Sequence, residues 1–354
     1  MARSVAEYYS KNYTLCSVED SFLSSWQGLA YCSHLTQLVA FPIQALVFYL
    51  IVYKTPKTMN SVKRPLLMAH FWCTILDFTL GTLGTPYVFF PASAMFGVGI
   101  LNHFRVPMWF QVGLGMLIIM AMSLSLIYLF ESRSSSIRDN KFRLTKPKHR
   151  KLYYVFNYTA QLPLVLLLLK LPKDQELAKL EVLKFIPCPT REFFTAPVFV
   201  LLSDPFWTKF IAIYALPILG FVNTCQVLFY IACLIYYLYI VPSFSASSRT
   251  RKLQRQFFMG VLVQTGVPLF LLVCTYAVLM VSYLTDHLTQ AQMNLSIVIF
   301  GVHGIAESFV IIMVHESYRK EVRRIFGVEN GKELDSRVQV SMVNSVVWRS
   351  TFRK

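Results

Sequence analysis

Long apolar stretches recur along the chain and are separated by short polar segments. A helix rises about 1.5 Å per residue, so about 20 apolar residues cross the hydrocarbon of a bilayer. Seven stretches are long enough, and the second and seventh of them each carry one acid, Asp77 or Glu307. The pattern predicts an all-α, integral membrane bundle with spans at about 31–53, 65–87, 107–130, 152–170, 209–238, 257–284 and 293–315.

The segments outside the spans are short. Residues 1–28 are predicted to form an amino-terminal tail, and the apolar, glycine-rich stretch 88–105 is interpreted as an outer loop or a re-entrant turn. Residues 316–327 alternate apolar and basic positions at helical spacing, which predicts a short amphipathic helix at the membrane surface. Residues 328–354 follow as a polar tail.

The distribution of basic residues predicts the orientation. Of the 34 Lys and Arg residues, 25 fall in alternate segments, at 54–64, 131–151, 242–256 and 315–354. Because cytoplasmic loops are enriched in Lys and Arg, these segments are predicted to be cytoplasmic, with the amino terminus outside the cell. The net charge of +16 is therefore explained by membrane topology, and nucleic acid is not an expected partner.

Composition and motifs exclude several classes of protein. The chain is 55% hydrophobic and 15% charged, against about 25% charged residues in ordinary soluble domains. It contains no HExxH motif, nucleophile elbow, P-loop or dinucleotide fingerprint, so we expect neither an enzyme nor a bound cofactor or metal. It shows no internal repeat, which weighs against a secondary transporter.

Two features of the predicted outer segments concern covalent modification. Five of the seven cysteines lie in apolar runs, whereas Cys16 and Cys188 lie in polar segments and are able to pair in an oxidising compartment. Asn12 begins an Asn-Tyr-Thr sequence, which is a glycan acceptor pattern.

Asp77, His303 and Glu307 form a predicted intramembrane polar switch. An acid at the bilayer centre costs about 2.5–3.5 kcal/mol, so these groups should face other helices. His303 and Glu307 are four residues apart and share a helix face. Asp77 is interpreted either as such a switch or as a structural hydrogen-bond centre. Its candidate partners are Asn223, Asn294 and His303.

The cytoplasmic end of the third span carries Glu131 and Arg133, which could form a local ion pair that breaks when a partner arrives. The other interpretation is an ordinary basic flank. With Arg251 and Lys252 before the sixth span, these residues are the candidates for contact with a cytoplasmic partner.

Aromatic residues in the outer halves of the spans are candidate ligand contacts, because their surfaces are apolar with polar tips. Each of them also suits plain packing or an interfacial belt. They are Tyr87, Trp109, Phe110, Tyr214 and Tyr276.

Several phrases together resemble one known family. They are Tyr53-Lys54-Thr55-Pro56-Lys57, His70-Phe71-Trp72, Asp77, Leu253-Gln254-Arg255-Gln256-Phe257, His303-Gly304 and His315-Glu316-Ser317-Tyr318-Arg319. In this order they resemble the nematode serpentine chemoreceptors of class H, over residues 40–326. Glu307 and Ser132 depart from the family pattern, which has a small hydroxyl residue and Asn at these positions.

The resemblance implies a receptor in the plasma membrane of sensory neurons, in their cilia, that binds a small odorant or soluble cue and signals to a heterotrimeric G protein. The third span lacks the outer cysteine of rhodopsin-like receptors, so Cys188 pairs with Cys16 or with nothing. The alternatives are an odorant-gated cation channel subunit and a proton-coupled transporter that uses Asp77 and Glu307. A homo-oligomer is left open.

Overall fold

A computed structural model describes residues 3–16, 21–56, 59–166, 171–241 and 248–327 of the chain. The predicted tail at 328–354 lies outside the described residues, as does the end of the predicted fourth span at 167–170. The described helices are α1 Val5–Lys11, α2 Trp26–Tyr53, α3 Asn60–Phe78, α4 Ile100–His103, α5 Met108–Ser136, α6 Pro147–Val165, α7 Gln175–Phe185, α8 Glu192–Thr195, α9 Pro205–Phe210, α10 Leu216–Ile235, α11 Ser248–Leu284, α12 Gln290–Phe300, α13 His303–Val314 and α14 Glu316–Ile325.

Membrane-spanning helices dominate the described chain. Wide π-helical turns extend α3 to Leu83, join α9 to α10 and extend α10 to Ile240. Six helical stretches are long and apolar enough to cross a membrane, at Trp26–Tyr53, Val62–Leu83, Met108–Ser136, Pro205–Ile240, Thr250–Leu284 and Gln290–Val314. The fourth predicted span corresponds to α6, which is less apolar because its first turn reads Pro-Lys-His-Arg-Lys.

A small antiparallel sheet is the main departure from the all-α prediction. The second span ends at Leu83 rather than at residue 87, because Pro86 has no N–H group to continue a helix. Instead, β1 Pro86–Phe89 pairs with β2 Ser93–Gly97, and β2 pairs with β3 Phe199–Leu202. The stretch 88–105, interpreted as a loop or re-entrant turn, thus contains a hairpin and the short helix α4.

The two ends of the bundle have separate apolar cores. We call the end that carries the sheet, α1 and α7 the cap end, and the end that carries α14 and the start of α11 the basic end. The cap-end core includes buried Leu29, Tyr87, Phe96, Val182 and Phe193. The basic-end core includes Leu50, Phe130, Tyr237, Phe258 and Tyr318.

The amino-terminal segment is fastened to the cap end. A disulfide joins Cys16 to Cys188, and the Tyr8 hydroxyl donates a 3.0 Å hydrogen bond to the carbonyl of Pro187. Asn12 ends α1 and is exposed. The segment after α1 therefore lies against the chain that follows α7.

The seventh span is broken into two helices. Its first part, α12, ends at Phe300, and its second part, α13, begins at His303. A helix end leaves backbone N–H and C=O groups without partners in the helix, and within a membrane these groups need other partners. The break therefore creates polar backbone in the middle of the bundle.

Candidate functional site

The break in the seventh span is filled by Asp77 of α3. The N–H of Gly304 donates a 3.0 Å hydrogen bond to Asp77 Oδ2, and Gln44 Nε2 of α2 donates another of 2.8 Å to the same oxygen. His303 Nδ1 lies 2.8 Å from Asp77 Oδ1 and 2.7 Å from the carbonyl oxygen of Phe300. Asp77 thus binds the first turn of α13, where the helix dipole favours negative charge.

Gly304 permits this close approach because it has no side chain. A Cβ atom built at this position would lie 2.4 Å from Asp77 Oδ2 and 3.2 Å from Gln44 Nε2. Both distances are shorter than ordinary van der Waals contacts. The geometry therefore explains why His303 and Gly304 are adjacent. His303 contacts the Asp77 carboxylate, and Gly304 leaves the space that this carboxylate occupies.

Glu307 forms a second histidine–carboxylate pair one helical turn further along α13. His70 Nδ1 lies 3.2 Å from Glu307 Oε2, and Gln264 Nε2 of α11 donates a 3.1 Å hydrogen bond to Glu307 Oε1. His70 Nε2 lies 3.2 Å from the carbonyl oxygen of Gln44, which also binds Asp77 through its side chain. The two pairs are therefore linked, and together they connect α2, α3, α11 and α13.

We call the two linked histidine–carboxylate pairs, with Gln44 and Gln264, the polar core. The structure brings Asp77, His303 and Glu307 together in it, and each side chain is buried. Buried histidine–carboxylate pairs can hold protons, and hydrogen-bonded networks of this kind specify one helix arrangement. The other two suggested partners of Asp77 lie elsewhere. Asn223 lines a cavity, and Asn294 donates to the backbone carbonyls of Leu23, Ser24 and Ser25.

Glu131 is paired with Arg150 and not with Arg133, the arginine of the suggested local pair. Arg150 of α6 contacts Glu131 Oε2 through Nε at 2.9 Å and through a terminal nitrogen at 2.5 Å. The hydroxyls of Tyr154 and Ser135 also donate to the Glu131 carboxylate, at 2.7 Å each. Of the two interpretations given for Glu131 and Arg133, the local ion pair is therefore not the one observed, because residues two apart point to different sides of a helix.

Arg133 instead points toward the start of α11. Its guanidinium carbon lies 5.4 Å from the centre of the Phe257 ring. No acceptor in the described part of the chain hydrogen bonds Arg133 Nε. Arg251 donates to the carbonyls of Leu238 and Val241, and Lys252 is exposed on the same end of the bundle. All four predicted coupling residues thus belong to the basic end.

The helix α14 is attached to the end of α2. Lys54 Nζ lies 2.7 Å from Glu321 Oε1, and the hydroxyls of Tyr318 and Thr55 are 2.8 Å apart. The hydrogen bond from Lys54 lowers the pKa of Glu321 below its usual value. The exposed Phe326 follows the helix. The helix α14 lies within the segment 316–327, for which the sequence predicts an amphipathic helix.

A cavity of about 630 Å³ lies between α5, α10 and α11 and extends from the sheet at the cap end to Phe130 of the basic-end core. Most of its surface is apolar, with methionine side chains from β2 and α5, and a few polar side chains enter it. The polar residues are Ser93, Ser123, Gln161, Thr208, Asn223, Thr224 and Thr265. Volumes of about 300–1,000 Å³ are typical of small-molecule sites.

The sheet forms the cap-end wall of this cavity, and its two faces differ. Successive residues of a strand point to opposite faces. Val88, Ser93 and Met95 line the cavity, whereas Tyr87 and Phe96 alternate with them and pack into the cap-end core. We call this sheet the roof of the cavity.

None of the five predicted aromatic residues belongs to the lining of this cavity. Tyr87 is buried on the other face of the roof, where its hydroxyl donates to the carbonyl of Ser24. Trp109, Phe110 and Tyr214 are about half exposed on the outside of the described bundle, and Tyr276 is partly buried. This corrects the expectation that the five gather around one pocket, since aromatic residues near span ends equally suit the lipid boundary.

Comparison with known proteins gives two findings. The model of the family "Serpentine type 7TM GPCR chemoreceptor Srh" matches residues 24–328. The chain is also 31% identical to "Serpentine receptor class H-72" of Caenorhabditis elegans over 324 residues, which cover 91% of this chain and 93% of that protein. Both findings confirm the resemblance seen in the sequence, and the family match confirms the predicted seven-span bundle. The chain therefore belongs to the serpentine Srh family of seven-transmembrane chemoreceptors, a family of membrane receptors and not of enzymes.

Proposed function

We propose that this protein is a chemosensory receptor that binds a small, mainly apolar molecule in the cavity and signals to a heterotrimeric G protein at the basic end. The observation that carries the proposal is the cavity itself, whose 630 Å³ is closed by the roof and lined by few polar groups. Such a site buries most of a small ligand, while Gln161, Asn223 and Thr265 can fix its orientation through hydrogen bonds.

Two residues that line the cavity are sequence neighbours of residues in the charged and polar clusters. Phe130 lines the cavity and precedes Glu131, which holds Arg150. Thr265 lines it from α11 and follows Gln264, which binds Glu307. A ligand that prefers one arrangement of α5 and α11 would therefore shift the population of states at the basic end.

The orientation is part of the proposal. We propose that the cap end is extracellular, in the plasma membrane of sensory cilia, and that the basic end faces the cytosol. The disulfide between Cys16 and Cys188 supports this, because disulfides persist in oxidising compartments. An Asn12→Gln variant should then lose a glycosidase-sensitive shift in gel mobility. An unglycosylated wild type whose tail resists external protease would contradict this orientation.

A second-messenger assay in a heterologous cell tests the function against a panel of small molecules. For a molecule that activates the wild type, Asn223→Leu should raise the half-maximal concentration about tenfold, the effect of losing one hydrogen bond of about 1.4 kcal/mol. Phe221→Leu is the matched control, because Phe221 lies on the same helix but does not line the cavity. Arg133→Ala should lower the maximal response instead. Equal responses in Asn223→Leu and the wild type would contradict the ligand site.

The polar core supports a second candidate, a proton-coupled transporter. Asp77 and Glu307 are buried beside His303 and His70, as the proton-carrying groups of a transporter would be. Uptake of a labelled solute that follows a proton gradient and is lost in Asp77→Asn would favour transport over signalling. A ligand-gated cation current in the absence of any G protein would instead favour a channel subunit.

A further inference from the structure

We propose that the molecule bound in the cavity is uncharged and lipid-soluble, and that it enters from the hydrocarbon of the bilayer through the cleft between α10 and α11. This rests on the proposed function, because it takes the cavity to be the ligand site. The proposal adds the chemical class of the ligand and its route of entry.

The roof closes the route from the aqueous side at the cap end. The face of the roof that points away from the cavity is covered by a second, buried layer of side chains. In this layer Phe89 contacts Phe193, with ring centres 5.1 Å apart. Val182 of α7 and Leu29 of α2 pack into the same layer. The disulfide and α1 fasten this layer further. A water-soluble ligand arriving from the cap end would have to separate both layers.

The side wall between α10 and α11 is open by comparison. In the described chain, α10 packs mainly on α5, and α11 packs mainly on α12 and α13. Contact between the fifth and sixth spans is concentrated at the basic end, where Arg251 and Arg255 donate to the carbonyl of Leu238. Toward the cap end α10 and α11 both line the cavity but pack mainly on other helices, from which we infer a cleft between them that leads to the cavity.

Two glycines border the cavity on the two sides of this cleft. Gly220 of α10 and Gly266 of α11 both line the cavity and are both exposed. A Cβ atom built at either glycine would meet no other atom within 4 Å. The space at the cleft is therefore left free by the absence of side chains at these two positions.

The surroundings of the cleft are apolar. Phe270 of α11, one helical turn from Gly266, is 68% exposed, as expected for a side chain that faces lipid. None of the described residues that line the cavity is charged. A charged ligand would lose its hydration without gaining an ion partner, which is costly. The cleft and the cavity thus both favour an uncharged, lipid-soluble molecule.

Thiol accessibility tests this without an identified ligand. In the full chain in phosphatidylcholine vesicles, Asn223→Cys places a thiol in the cavity, while Cys32, Cys225 and Cys274 are replaced by Ala to lower the background. Two probes are compared, the bilayer-soluble N-(1-pyrenyl)maleimide and the charged methanethiosulfonate ethyltrimethylammonium added to the aqueous phase. We expect the first to label the thiol and the second to leave it unmodified. Labelling by the charged reagent at a similar rate would overturn the proposal.

Filling the cleft provides the second readout. Gly220→Phe and Gly266→Phe should each slow pyrenylmaleimide labelling about tenfold, which corresponds to an entry barrier raised by about 1.4 kcal/mol. Gly115→Phe is the matched control, since Gly115 lies in a span with open space around it but does not line the cavity. Equal labelling rates in all three variants would refute entry through the cleft.

Two controls distinguish a failure of this inference from misfolding of the variants and from a failure of the proposed function. The smaller Gly266→Leu variant repeats the test if the phenylalanine variants do not elute as a single species from a sizing column. Labelling that follows the expected pattern in a protein that never signals would refute the proposed function alone. Signalling with labelling unaffected by the cleft variants would refute this inference alone.

Discussion

Substituting Gly304 by Ala should destabilise the protein strongly, although alanine normally stabilises a helix relative to glycine by about 1 kcal/mol. The added Cβ would lie 2.4 Å from Asp77 Oδ2, where ordinary contacts begin at 3.4 Å. The helices are packed on both sides of this contact, so the carboxylate must move away. The sign of the effect therefore distinguishes this position from an exposed helical glycine.

The magnitude follows from the hydrogen bonds that a displaced Asp77 loses. They are the 3.0 Å bond from the Gly304 N–H and the 2.8 Å bond from Gln44. Hydrogen bonds to charged groups contribute about 1.5–3 kcal/mol each. After subtraction of the helix-propensity gain, we expect the free energy of unfolding to fall by about 2–5 kcal/mol.

The assay is an SDS titration in mixed micelles, followed by circular dichroism. Gly301→Ala is the control, because a Cβ there would meet its nearest neighbours at 3.4 and 3.5 Å. In an Asp77→Ala background the contact with the carboxylate is gone and only the end of the Gln44 side chain remains close, at 3.2 Å, so Gly304→Ala should cost much less there. The reasoning fails if Gly304→Ala and Gly301→Ala unfold at the same SDS fraction.

Two further predictions concern the basic end. Arg150→Ala should lower the free energy of unfolding by about 3 kcal/mol, because it leaves the fully buried Glu131 carboxylate without its cation. Arg133→Ala should cost about 1 kcal/mol, the size of its cation–π contact with the Phe257 ring. The same SDS titration compares the two variants, and equal losses would contradict the assignment. The lowered pKa of Glu321 means that its contact with Lys54 stabilises α14 above the ordinary Glu pKa of about 4.3 and is lost as pH falls through the lower folded value. A spin label on Phe326→Cys should therefore become more mobile on acidification in the wild type, and Glu321→Gln should show no such pH dependence.

The spans and the polar core were predictable from the sequence for the same reason. Lipid cannot satisfy polar groups, so apolar runs must be helices and the few acids within them must face one another. Asp77, His303 and Glu307 stand out because their surroundings are apolar. Gln44, His70 and Gln264 carried the same signal but were not predicted as members of the cluster.

Other features depend on contacts that no local pattern encodes. The partner of Glu131 lies 19 residues away on another helix, at Arg150. The local sequence of the hairpin at 86–97 resembles a glycine-rich loop. The strand that pairs with it, β3, lies about 100 residues later in the chain, so the local sequence does not show this pairing. The break in the seventh span coincides with Gly301, but a single glycine in a helical run is a weak sign of a break.

Because side chains alternate between the two faces of the roof, a point substitution and a change in strand length have different consequences. Replacing Val88, Ser93 or Met95 alters the surface that faces the cavity, while Tyr87 and Phe96 continue to seal the side that faces away from it. Inserting or deleting one residue in either strand would exchange the two sets and expose large aromatic rings to the binding space. Receptors built on this plan can therefore acquire new specificities through point substitutions at every second position, whereas a change in hairpin length would disrupt the cover itself.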